Sequence, residues 1–224
     1  MDENMAERRS FLCDVRAENG QAENESVIEG RPIVYGSRTD LGWFDEIIDA
    51  GALDGTDLTD VRFLVNHDLS KIPLARSRNN NMNSTMQLRP NENGLDITAR
   101  IDIGANADAK ALDSAVRRGD ISGMSFMFFV DKDAWEDLDS EHPTRHITSI
   151  SRVVEVSAVT FPAYQATEIY ARSNEALESA KQTLESARAQ RAAETKTATD
   201  TAANELELAK AKLAFTKISG GKKK

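Results

Sequence analysis

The chain has 224 residues, a net charge of −9 and a single cysteine, Cys13. That length suits one full domain with an appendage, and one cysteine excludes an intramolecular disulfide and a cysteine-rich zinc site. The acidic balance argues against nucleic-acid binding, and the lack of a long apolar stretch or a signal-like N-terminus predicts an intracellular protein outside the membrane.

After residues 1–7, which we expect to be disordered, short runs rich in β-branched and aromatic residues recur, separated by Gly, Asn, Asp and Pro clusters. These predicted strands are 9–15, 32–37, 61–66, 94–103, 124–130 and 146–161. In residues 94–102 apolar and polar residues alternate, which predicts a strand with one solvated face. The runs MSFMFFV and VVEVSAV are almost continuously apolar and indicate central strands.

One helix is predicted among the strands, over residues 106–118. Ala109, Leu112 and Val116 have helical spacing, and Gly119 provides a stop before the MSFMFFV strand. Together these elements indicate a mixed β-rich α+β fold with a few helices, in the form of a β-barrel or sandwich.

From Ser173 onward the composition changes to Ala, Glu, Lys, Gln and Thr. This segment carries 10 Lys/Arg and 7 Asp/Glu, so a balance of +3 stands against −12 for the preceding residues. We expect a helical, partly disordered extension over residues 173–224, interrupted at the Thr-rich patch TKTATDT and resumed at about Asn204 to Ile218. A helix that docks on a partner or oligomerises is the alternative.

Three histidines, His67, His142 and His146, are the candidate bases for nucleophilic catalysis. His67 ends the apolar run FLVNH, whereas His142 and His146 flank Pro143 in a polar loop. Pro143 makes a shared helical face improbable for that pair, and no cysteine or third histidine is near in sequence, so we predict no zinc site. Phosphate-binding glycine loops and a GxSxG elbow are absent, and no cofactor is expected.

Five segments, in order, resemble the prohead (capsid maturation) serine proteases of tailed bacteriophages, which are related in fold to the herpesvirus assemblins. They are IEGRPIVYGS (28–37), WFDEIIDAGAL (43–53), VRFLVNHDLSKIPLAR (61–76), VRRGDISGMSFMF (116–128) and VVEVSAVTFPAYQAT (153–167). The resemblance implies an assemblin-like β-barrel over residues 8–172, followed by the helical extension.

The resemblance assigns His67 as general base and a serine of ISGMSF as nucleophile. Two serines compete there. Ser125 matches the family serine that precedes an aromatic residue, and Ser122 is expected to be a hydroxyl at the strand entry. Met127 stands where the family pattern leads us to expect glycine, and its side chain could narrow the cleft.

The residue that orients His67 is expected to be Glu155, with His146 as the alternative. Assemblins use a second histidine, whereas the closing strand of the phage family carries an acid that matches Glu155. A carboxylate inside VVEVSAV is costly to bury without a partner, and a histidine would provide one. Backbone amides of the loop from Phe161 to Tyr164 are the candidate oxyanion hole, by analogy with assemblins.

The resemblance therefore implies a serine endopeptidase that cleaves scaffold segments from phage capsid or scaffold proteins, and then itself, inside the assembling prohead in the host cytoplasm. The expected partners are the major capsid protein and the scaffold protein, and a homo-oligomer is allowed. The alternative is a scaffold or assembly chaperone that keeps the protease fold but has little activity. The helical, basic-ended extension favours this alternative.

Overall fold

The computed structural model of the protein describes residues 6–161 and 174–220, with the helical side chains described over 178–210. Eleven strands and two helices lie in these ranges. The strands are β1 (Glu7–Leu12), β2 (Arg16–Asn19), β3 (Glu25–Val34), β4 (Arg38–Asp40), β5 (Asp45–Ile48), β6 (Asp60–Val65), β7 (Ala75–Arg78), β8 (Met86–Asn91), β9 (Gly94–Asp102), β10 (Gly123–Glu136) and β11 (Thr144–Val159). The helices are α1 (Ala107–Arg118) and α2 (Asn174–Gly220).

The strands form two sheets. The larger has seven strands in the order β1-β10-β11-β5-β4, with β6 also pairing with β11 and β7 pairing with β6; the smaller has the order β2-β3-β9-β8. β11 is the central strand of the larger sheet, because it is antiparallel to β10 and parallel to both β5 and β6. β11 therefore lies between β10 on one side and β5 and β6 on the other.

The strand-rich α+β class is confirmed, but the closed barrel that the resemblance implied is not formed by the described residues. In that part of the chain β1, β4 and β7 border the larger sheet, while β2 and β8 border the smaller one. Closure of a barrel requires each strand to pair on both sides, and these border strands have one paired neighbour each.

One continuous hydrophobic cluster draws on both sheets and on α1. Its fully buried large side chains include Ile28, Ile33, Phe63, Phe126 and Phe128. The alternating strand predicted over 94–102 contributes Leu95, Ile97, Ala99 and Ile101, as its period of two requires.

The predicted helix over 106–118 is confirmed as α1. The side chain of Asn106 accepts hydrogen bonds from the main-chain N–H groups of Asp108 and Ala109, which caps the N-terminus. Gly119 ends the helix in the left-handed conformation, with φ of 78°. Ala109, Leu112 and Val116 form the buried face.

The predicted interruption in the C-terminal extension is wrong, since α2 runs without a break from Asn174 to Gly220. In the Thr-rich patch each of four threonine hydroxyls donates to the carbonyl four residues earlier. Each hydroxyl is thus satisfied by a carbonyl of the same helix, so these threonines do not draw the backbone into a non-helical conformation. The predicted domain boundary at 172–173 lies outside the described residues, as do residues 1–5 of the segment 1–7 that we expected to be disordered. Glu7, the last residue of that segment, is instead buried in β1. None of the described helices is apolar enough over a sufficient length to cross a membrane.

Candidate active site

Strand pairing brings Ser125 and Glu155 close to His67, the second residue after the end of β6. Ser125 on β10 lies directly opposite Ser157 on β11, and Met127 lies opposite Glu155. Because side chains alternate between the two faces of a sheet, these four side chains share one face. β6 runs parallel to this part of β11 and ends at Val65, so His67 follows immediately beyond its end.

The three predicted residues form a connected chain of polar contacts. Nε2 of His67 lies 2.5 Å from Oγ of Ser125, and Nδ1 of the same ring is hydrogen-bonded to Oε1 of Glu155. Ser125 and Glu155 are fully buried and His67 is 5% exposed. A hydroxyl, an imidazole and a carboxylate in this order are the arrangement that nucleophilic acyl transfer requires.

A left-handed turn of the backbone aims His67 at the other two residues. Asn66 and His67 have φ values of 52° and 57°, a conformation that few non-glycine residues adopt but that Asn and His tolerate better than most. Asn66 fixes the turn to the end of β11, because its N–H donates to the carbonyl of Ala158 and its side chain exchanges hydrogen bonds with Thr160. These hydrogen bonds to the end of β11 stabilise the left-handed backbone conformation of Asn66 and His67.

A buried cluster of charges anchors β1 beside β10. Arg9 contacts Glu46 and lies 2.5 Å from Glu7, while Arg145 lies 2.9 Å from Glu7, 3.1 Å from Glu46 and 2.7 Å from Asp133. Burial alone would raise the pKa of Glu7, but Arg9 and Arg145 outweigh it and hold that pKa below its usual value. The cluster ties together residues of β1, β5, β10 and β11.

This anchoring places a main-chain carbonyl against the candidate nucleophile. Oγ of Ser125 lies 2.6 Å from the carbonyl oxygen of Arg9, in addition to its contact with His67. The hydroxyl has a single proton, so it donates either to Nε2 of a neutral His67 or, when that nitrogen is protonated, to the Arg9 carbonyl. The Arg9 carbonyl therefore gives the hydroxyl an acceptor in the state in which Nε2 of His67 carries a proton.

The other sequence-predicted residues lie elsewhere or play other parts. Ser122 is exposed and precedes β10, where its carbonyl accepts a hydrogen bond from the N–H of Cys13. His146 lies on β11 nine residues before Glu155, with Nδ1 2.8 Å from Asp49. At about 3.3 Å per residue that is roughly 30 Å along the strand. The structure does not bring His146 to Ser125.

Met127 is buried on the same face as Ser125, two residues further along β10 and opposite Glu155. Of the loop expected to form an oxyanion hole, residues 162–164 lie outside the described residues, and Phe161 is 48% exposed. Burial raises the pKa of the Cys13 thiol, which makes that side chain a poor competing nucleophile at neutral pH.

Within the described ranges, Asp40, Asp45 and His142 form a group whose ligand atoms lie within 4.8 Å of one another. The guanidinium of Arg38 already binds Asp45 at 2.7 Å, and Asp40 and His142 are exposed. Exposed carboxylates of this kind commonly pair with basic side chains alone, and we assign no metal to them.

Ser157 is a site residue that the sequence reasoning missed. It is fully buried, and its Oγ lies 2.6 Å from Oε2 of Glu155 and 3.1 Å from the main-chain nitrogen of His67. The signal that could have found it is the spacing in VVEVSAV, where Glu155 and Ser157 are two residues apart and so must share one face of a buried strand.

The arrangement can perform general-base-assisted attack by the Ser125 hydroxyl. Nε2 of His67 is in position to take the hydroxyl proton, and Glu155 is in position to hold the imidazole with its proton on Nδ1 and to stabilise the imidazolium. All three groups lie in a site largely shielded from water, where charge interactions are stronger than at the surface.

Comparisons with known proteins identify the family of the chain. The family model described as Caudovirus prohead serine protease matches residues 12–182. No curated protein matches the chain. Among solved structures, the bacteriophage T4 capsid assembly protease, gp21, is similar over 68% of this chain and 98% of its own, with 13% identity and a TM-score of 0.33, a likeness too weak to carry an argument. The family match covers most of the chain, which belongs to the Caudovirus prohead serine protease family.

Proposed function

We propose that this chain is a serine endopeptidase that acts through an acyl-enzyme on Ser125, with His67 as general base and Glu155 as the residue that orients His67. The single observation that carries the proposal is the chain of contacts from Oγ of Ser125 through the imidazole of His67 to the carboxylate of Glu155. Membership of a serine protease family supports the same chemistry.

In the proposed reaction Oγ of Ser125 attacks the carbonyl carbon of the scissile peptide bond while its proton passes to Nε2 of His67. The imidazolium, stabilised by Glu155, then gives that proton to the leaving amine, which leaves an ester on Ser125. Water, deprotonated by His67, attacks the ester and releases the acid product, and the proton on Nε2 returns to Oγ. Atoms and protons balance over the cycle, and no cofactor enters it.

The proposed substrates are capsid and scaffold proteins of the assembling prohead in the host cytoplasm, from which the enzyme removes scaffold segments, followed by cleavage of the enzyme itself. The family's description as a prohead protease supports this substrate class. Co-expression with the capsid and scaffold proteins, followed by mass spectrometry of the new termini, would identify the substrate and the cleavage site together.

The direct test is substitution of Ser125. Ser125→Ala should abolish cleavage of the co-expressed capsid or scaffold protein, because no other group can form the ester. Ser122→Ala is the matched control, since Ser122 belongs to the same ISGMSF segment but is exposed and precedes β10. Undiminished cleavage by Ser125→Ala would contradict the assignment of the nucleophile.

A second candidate role concerns the extension, because α2 is a 47-residue helix and its described side chains from 185 to 210 are mostly exposed. A scaffold-like or delivery function would use this helix to bring the protein into the shell. Deletion of residues 183–224, which follow the end of the family match, should then reduce packaging and leave peptide cleavage intact. A chaperone without protease activity would instead fail to react with a fluorophosphonate probe at Ser125.

A further inference from the structure

Ser157 lies inside the proposed active site although no motif gives it a role. It follows Glu155 by two residues on β11, pairs in register with Ser125 on β10, and is fully buried. Its side chain therefore faces the same space as the proposed nucleophile and the proposed carboxylate. A hydroxyl in this place has one proton to donate and two lone pairs with which to accept.

Three hydrogen bonds form a closed ring through Ser157. The main-chain N–H of His67 donates to Oγ of Ser157 at 3.1 Å, and that hydroxyl donates to Oε2 of Glu155 at 2.6 Å. The other carboxylate oxygen, Oε1, accepts the hydrogen bond from Nδ1 of His67. The ring thus begins at the backbone of His67 and returns to its imidazole.

We propose that Ser157 is a positioning residue for the peptidase proposed above, acting through Glu155 and the backbone of His67. The terminal torsion of a glutamate is broad, so a carboxylate on this long side chain has several orientations that would direct neither oxygen at Nδ1. The Ser157 hydroxyl fixes Oε2 and so directs Oε1 at the ring. The same hydroxyl accepts from His67 N–H and holds the left-handed residue on which the imidazole is mounted.

Ser157 also provides the hydrogen-bond donor for Oε2 of Glu155, which would be costly to bury without one. Oε2 of Glu155 belongs to a fully buried residue, and a buried carboxylate oxygen without a donor favours rotation of the side chain toward another partner. That rotation would remove the acceptor that Nδ1 of His67 needs. Loss of the hydroxyl should therefore slow the reaction at Ser125, and the effect should depend on Glu155.

A matched pair of variants separates the hydroxyl from packing. Ser157→Thr keeps the hydroxyl and adds one methyl group, whereas Ser157→Val adds the same methyl group and replaces the hydroxyl by a second one. Because both enlarge a fully buried side chain equally, the strain is common to the two and their difference reports the hydroxyl alone. Circular dichroism and thermal melting check that each variant folds.

The measurement is the second-order rate constant for labelling of Ser125 by a fluorophosphonate probe, followed by intact-mass spectrometry on the full chain. Ser157→Val should react about 10- to 100-fold more slowly than Ser157→Thr, the range for a hydrogen bond to a charged group or a supporting partner. In a Glu155→Gln background the ratio between the two should fall to roughly two- to ten-fold, the worth of the one uncharged hydrogen bond from His67 N–H, because the bond to the carboxylate has lost its charge.

Equal rates for Ser157→Thr and Ser157→Val would overturn the inference, as would a ratio that persists unchanged in the Glu155→Gln background. If Ser157→Val does not fold, Ser157→Ala against the wild type provides the same contrast with no added methyl group and the same expected ratio. A wild-type protein that is folded but unlabelled would refute the proposed function itself, and with it the inference. A labelled wild type with equal variant rates would refute the inference alone.

Discussion

Arg145→Met is the substitution that should disturb the fold most among the arginines of β11. Arg145 is 1% exposed as a residue, and its guanidinium binds Glu7, Glu46 and Asp133. Methionine has a similar length but no charge, so the variant would leave three carboxylates opposite the single guanidinium of Arg9. The cluster would then hold two uncompensated negative charges where the native protein holds one.

The size of the effect follows from burial. Removing one partner from a buried ion pair costs about 3–5 kcal/mol of unfolding free energy, whereas an exposed pair contributes about 0–1 kcal/mol. Arg152→Met is the matched control, because Arg152 lies on the same strand, has a side chain that is 48% exposed and is 3.7 Å from Asp57. At roughly 2–4 °C per kcal/mol for a domain of this size, Arg145→Met should lower Tm by about 6–20 °C, and Arg152→Met by no more than about 4 °C.

Urea unfolding at pH 7 measures the difference, with the stacked pair Trp43 and Trp135 as the fluorescence probe of the native state. Trp135 lies opposite Arg145 in the β10–β11 register, so the probe reports on the region that is changed. Unfolding free energies for Arg145→Met and Arg152→Met that agree within about 1 kcal/mol, an upper value for an exposed pair, would refute the reasoning from burial.

The same cluster predicts how stability depends on pH. The pKa of Glu7 is held below its usual value near 4.5, because Arg9 and Arg145 outweigh the opposing effect of burial. A lowered folded-state pKa contributes stability above that usual value, and the contribution is lost as the pH falls below it. The unfolding free energy should decline below about pH 4.5, and less steeply in Arg145→Met. Equal slopes for the two proteins would contradict the role given to Arg145.

Two further predictions concern the site and the backbone. Glu155→Gln should slow cleavage by about 10⁴-fold, because the amide favours the wrong tautomer of the histidine, whereas His146→Gln, remote on β11, should change the rate by less than about three-fold; a large loss only for His146→Gln would reverse the assignment. Gly119→Ala should cost about 1–2 kcal/mol in chemical unfolding, from backbone strain alone, since an added Cβ meets nothing within 4 Å. Gly94→Ala should cost more, because its Cβ would lie 1.9 Å from the Ile33 carbonyl oxygen.

Local features of the fold could be read from the sequence. The helix α1 was predictable because its apolar spacing, its Asn106 cap and its Gly119 stop all lie within fourteen consecutive residues. The alternating strand β9 was predictable for the same reason, since one face is buried and the other solvated. These signals are short-range and do not depend on what the element packs against.

Features that depend on distant partners could not be read in this way. Glu7 and Arg9 look like part of a polar N-terminal segment, yet both are buried. Their partners, Arg145 for Glu7 and Glu46 for Arg9, lie 138 and 37 residues away in sequence, so no local pattern indicates the burial. The parallel pairing of β11 with β5 and β6 could not be predicted either, because the apolar pattern of a strand indicates which face is buried and not which strand lies beside it. The roles proposed for His67 and Ser125 rest on family resemblance, because a histidine after an apolar run and a serine in a strand are both common.

The central place of β11 has a consequence for the order of events during synthesis. Among the strands of the described residues β11 is the last to be made, yet it carries Glu155 and Ser157 and pairs with β10, β5 and β6. While the chain emerges from the ribosome, His67 is made well before β11, and contacts between such distant segments form late in folding. The proposed hydrolytic centre is therefore complete only when nearly the whole strand-rich part has been translated, because a chain that ends before β11 lacks the carboxylate of Glu155.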